Sequence, residues 1–127
     1  MGRRALGELA VHNAVEGCVG ESLGAMLAAH GAAHAADDHV ARVLAPIAVD
    51  EAQHAALSFA VADWLTPRLT YAERARVTEA VTAAVAAGVT EVRLSAADRR
   101  RAGVAEADRV RGWVRHLGPT LWAEAVG

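Results

Sequence analysis

The sequence predicts an all-α fold, and three observations carry that prediction. Apolar residues recur at helical spacing over two long stretches, most regularly over residues 38–65. Helix-start and helix-stop residues fall between the periodic segments. No region collects the alternating β-branched and aromatic residues of a strand. With 127 residues, the chain is sized for a single domain.

The elements follow in order. Over residues 5–30, Leu6, Leu9, Glu16, Leu23, Leu27 and His30 fall on one stripe of a helix. Residues 31–38 read as a turn whose Asp caps the next helix. In residues 38–65, Val40, Leu44, Ile47, Glu51, His54, Ser58, Val61 and Leu65 step by fours and threes as a heptad-like seam. Pro46 should kink that helix or start a new one. Thr70-Tyr71-Ala72-Glu73 has the form of a capping box, opening a helix that ends near Gly88. Val89 to Leu94 fits either a short extended segment or a loop. Ser95-Ala96-Ala97-Asp98 announces a further helix, Gly118-Pro119 its stop, and Leu121 to Val126 a last short turn. Residues 5–65 thus form a helix hairpin and residues 66–127 a set of C-terminal helices.

Composition narrows the function. Thirteen basic side chains, all Arg, against fifteen acidic ones leave a net charge of -2. That balance argues against nucleic acid or an anionic membrane as partner. One cysteine, Cys18, forbids an internal disulfide. No charge-free stretch approaches a signal-peptide core or a membrane span, so a soluble, cytoplasmic protein is expected. Arg99-Arg100-Arg101 reads as a solvated helix face, and His30, His34 and His39 as a solvated interhelical loop.

The chemistry sits where charge interrupts the seams. Glu51 and His54 follow one another on an otherwise apolar stripe, at a spacing that puts both on one side of a helix. A carboxylate placed inside a bundle is costly unless it is paired or bound to a metal. Spacing alone is weak evidence: nine Glu and six His in this chain give about 0.4 chance occurrences of Glu-x-x-His. Position on the seam strengthens it. Glu16 lies on the leucine stripe of the first helix, and a hairpin turning near residue 34 sets it level with Glu51. Glu16, Glu51 and His54 are therefore the expected metal ligands and catalytic residues. Their donor set suits iron or manganese better than structural zinc. Glu21, about 140° around the helix from Glu16, is expected to be exposed or structural.

Glu16-Gly17-Cys18-Val19-Gly20-Glu21 and Asp50-Glu51-Ala52-Gln53-His54-Ala55 resemble motifs of the ferritin-like, rubrerythrin-like dimetal-carboxylate proteins. The resemblance covers about residues 5–65 and implies a four-helix bundle holding two metals. One Glu would come from each of two helices and one Glu-x-x-His from each of the others. It also implies that Asp50 hydrogen-bonds a ligating His. Gln53 stands where many members have Arg. His12, one turn before Glu16, is a possible extra ligand outside the resemblance.

The chain holds only one Glu-x-x-His, so it looks like half of such a bundle. Either two copies pair about a two-fold axis and share a dimetal centre, or a separate chain supplies the other half. The function expected from this is an oxidoreductase of the di-iron (or manganese) type, reacting with dioxygen or peroxide. A helical scaffold or interaction subunit that keeps the hairpin without turnover is the alternative.

Overall fold

A computed structural model describes residues 2–88 and 93–123, and among them every regular element is helical. Helix α1 (Arg3–His12) runs without a break into a π-helical segment (Asn13–Glu21) and then into α2 (Ser22–His34). Helix α3 (Asp38–Leu65) returns antiparallel against this rod, and a 3-10 turn (Thr66–Arg68) leads to α4 (Tyr71–Ala87). The chain then closes with α5 (Ala96–Ala102) and α6 (Ala107–Leu121). The all-α class and the hairpin are as expected.

The hairpin turn is shorter and later than the sequence suggests. Helix α2 continues through Gly31 to His34, and only residues 35–37 separate it from α3. The Asp37 carboxylate accepts hydrogen bonds from the N–H groups of His39 (2.8 Å) and Val40 (3.3 Å), capping α3 as expected. From outside, α5 clamps the turn: the N–H groups of Ala36 and Asp37 donate to the Arg100 and Arg101 carbonyls. Gly103 makes this possible. It ends α5 at φ 65°, and any Cβ there would press on the backbone of Gly31 and Ala35.

Neither internal proline ends its helix. Pro46 lies within α3, and Pro119 lies in the last turn of α6, which runs to Leu121. A proline removes one backbone bond, and in α3 the remaining length of packed helix outweighs that loss. The expected single helix between Ser95 and Gly118 is two, parted at the left-handed Gly103. Thr70 and Glu73 do form the reciprocal capping box (Thr70 N–H to Glu73 Oε2, 2.7 Å; Glu73 N–H to Thr70 Oγ1, 3.2 Å). Residues 89–92 and the second half of the expected last turn, residues 124–126, lie outside the described residues.

The main core is at the α1/π end of the hairpin. Ala10, Ala14 and Val19 meet Leu65 at the end of α3, Leu69 after the 3-10 turn, Val77 and Val81 of α4, and Trp122 after α6. Trp64 is exposed on α3, with the Arg68 guanidinium over its ring, and Trp113 meets the edge of His30. Arg99 departs from the expected solvated face. Its side chain is largely buried, pairs with Glu106 at 3.2 Å and donates to the Ala105 carbonyl. No helix among the described residues is long and apolar enough to cross a membrane.

Candidate metal centre

What faces α3 from the rod is a stripe of small residues, not of leucines. Asn13, Gly17, Glu21, Gly24, Ala28 and Gly31 follow one another at steps of four and three. The Asn13 amide donates to the Ser58 carbonyl at 2.9 Å. A Cβ on Gly17 would collide with the Ser58 side chain, and one on Gly31 with a Leu44 methyl group. The two backbones therefore approach closely, and side chains of ordinary size cannot occupy those positions. Leu9 and Leu27, two of the stripe leucines, are exposed.

Glu21 lies on this small-residue stripe, at the end of the π segment. It and Glu51 are each fifteen residues from Ala36, the middle of the turn, and so stand at one height. Gly24 leaves space beside them, since a Cβ there would lie 4.0 Å from the Glu51 carboxylate. One donor atom from each of Glu21, Glu51 and His54 lies within 4.8 Å of the others. The His54 Nδ1 is 3.7 Å from Glu21 Oε2 and 3.7 Å from Glu51 Oε2. The site is open on one side: the carboxylate side chains are 33% and 31% exposed, that of His54 60%.

The electrostatics of this cluster call for a positive charge. The Glu21 carboxyl is held above its ordinary range, first by the hydrogen bond it shares with Glu51. Burial and the Glu51 charge push the same way, and His54 opposes them. Two carboxylates this close repel one another when both are ionised, and a bound cation would offset that repulsion. A divalent metal fits the donors on chemical grounds, because each of the two carboxylates and the imidazole can give it a lone pair.

Of the residues expected from the sequence, the structure brings Glu51 and His54 together and leaves Glu16 out. Glu16 is exposed in an open groove with Glu8 and His12 on its own rod and Arg76 and Glu79 on α4. His12 accompanies it there, so neither belongs to the His54 cluster. Glu21 takes the place expected of Glu16. Asp50 is exposed on the outer side of α3. One signal in the sequence could have suggested Glu21, the run of Gly17, Gly24 and Gly31 at helical spacing beside it; its separation of fifteen residues from Ala36, equal to that of Glu51, emerges only with the turn in place.

Comparison with protein-family models, curated proteins and solved structures finds no match to this chain.

Proposed function

We propose that the chain is a metal-binding protein of the ferritin-like, dimetal-carboxylate type. Glu21, Glu51 and His54 hold iron or manganese, and two copies share the centre. The convergence of those three donor groups within 4.8 Å carries the reading. Iron or manganese bound there would supply the redox equivalents for a reaction with dioxygen or peroxide. Glu21 and Glu51 would provide ionised oxygens to the metal, and His54 a neutral imidazole.

Among the described residues the cluster offers three donors, which fill half of a six-coordinate shell. The open side of the site supports a second copy as the source of the rest. Along that side of α3, Val43, Ile47, Asp50, His54, Leu57, Val61 and Trp64 alternate steps of four and three. Most of them are exposed, Leu57 at 65% and Trp64 at 53%. The stripe is complementary to itself when reversed about His54: Val43 comes opposite Trp64, Ile47 opposite Val61, and Asp50 opposite Leu57. A two-fold axis beside His54 covers the apolar face and sets two clusters against each other.

An anaerobic ferrous titration on protein of measured assembly mass tests the proposal. The expected result is a dimer that binds about one iron per chain. Binding should be lost in Glu51→Ala and His54→Ala at unchanged helicity. A dimer that takes up no metal, and gains stability when the Glu51–His54 pair is replaced by apolar residues, would overturn it in favour of a scaffold. The apolar stripe is the observation behind that second reading, since it needs no metal to pair.

A further inference from the structure

Glu21 reaches the centre from the last residue of a π-helical segment, and π segments cost backbone geometry that the surroundings must make good. Two side-chain contacts hold this one. At its start the Asn13 amide is bonded to the Ser58 carbonyl on α3. At its end the Ser22 N–H donates to the Val19 carbonyl, three residues back, where an α-helix would have used Cys18. The Cys18 carbonyl accepts the indole N–H of Trp122 at 3.2 Å, in a buried contact 104 residues distant in sequence. Trp122 is 3% exposed and packs in the same core cluster as Val19, while Cys18 is wholly buried.

We propose that Trp122 is a positioning residue for the metal centre: its indole N–H fixes where the π winding ends and so aims Glu21 at Glu51 and His54. The inference rests on the metal-binding reading above. A reversion of one π turn to α winding moves one residue along the helix. It would turn Glu21 by roughly 100° relative to Asn13, which Ser58 holds in place. Trp122 touches no ligand atom, and its effect on the centre runs through the Cys18–Glu21 backbone.

The test removes the N–H and keeps the volume. Full-length protein carrying 3-benzothienylalanine at position 122, made by ligation near the C-terminus, is compared with wild type and with Trp122→Phe. Cobalt(II) is the probe, read by its visible absorption and by titration. Amide hydrogen exchange at residues 18–23 is measured on the metal-free proteins. The analogue should bind cobalt(II) about 10- to 100-fold more weakly, with an altered spectrum, faster exchange at residues 18–23 and unchanged total helicity.

Equal affinity and spectrum in wild type and analogue would overturn the role of Trp122 while leaving the metal centre standing. Unaltered exchange at residues 18–23 would overturn it as well. A wild-type protein that binds no cobalt(II) would sink the metal reading beneath it. Should Trp122→Phe lose helicity, the analogue alone decides.

Discussion

Replacing Glu21 by Gln separates the geometry of this centre from that expected on leucine periodicity. Donor oxygens of Glu21 and Glu51 lie within 4.8 Å. Two unit charges at that distance repel by about 0.9 kcal/mol in water and about 3.5 kcal/mol at an effective dielectric of 20. Both side chains are about one-third exposed, so solvent screening brings the repulsion to about 1 kcal/mol. Gln offers an N–H donor to the Glu51 carboxylate and removes the second charge. Metal-free Glu21→Gln should therefore melt roughly 3–6 °C above wild type at neutral pH.

In the same variant manganese(II) affinity should fall by about 100-fold or more, since even groups that only support a ligand cost 10- to 100-fold. Scanning calorimetry with chelator and titration calorimetry with manganese(II) give the two readings. Glu16→Gln should change neither. Undiminished metal affinity in Glu21→Gln, or an equal loss in Glu16→Gln, would refute the reasoning.

Three further outcomes are expected. Leu57→Glu places a carboxylate opposite Asp50 in the paired stripe, where like charges cost several kcal/mol, so sedimentation should find monomer at micromolar concentration. Cys18 is wholly buried and its thiol is raised from 9.0 to about 11, by burial first and the Asp63 charge second. Its thiolate fraction is lowered about 100-fold, and alkylation by iodoacetamide should wait for unfolding. His30 is held below its ordinary 6.5 by burial first, then by the charges of His34 and Arg109. The folded state prefers its neutral form, so its contribution to stability is complete above pH 6.5 and is lost as pH falls through the folded value. Melting temperature measured over roughly pH 6.5 to 5 should fall less in His30→Gln than in wild type.

The helices were largely legible because their ends are written locally. The Asp37 cap, the Thr70–Glu73 box and the Ser95 cap each need only neighbouring residues, and each forms. On α3, Glu51 and His54 were legible for the same reason, as their spacing is fixed within one helix. Glu21 was not, because choosing between stripes on the first rod needs its partner helix. Large apolar residues mark a buried face where helices stand at ordinary distance, but here glycines at 17 and 31 draw the backbones together. The leucines were left toward other neighbours or solvent. The π winding from Asn13 to Glu21 has no signature in composition, since its support comes from Ser58 and Trp122, far along the chain.

The clamp that α5 places on residues 36 and 37 makes the turn a datum from which the two carboxylates are measured. A residue inserted there would break the pairing of Ala36 and Asp37 with the Arg100 and Arg101 carbonyls and shift α3 against the rod, carrying Glu51 off the line of Glu21 without touching either. A change of length in this short connector is thus less tolerable than a side-chain exchange at the exposed Leu9 or Leu27 of the rod.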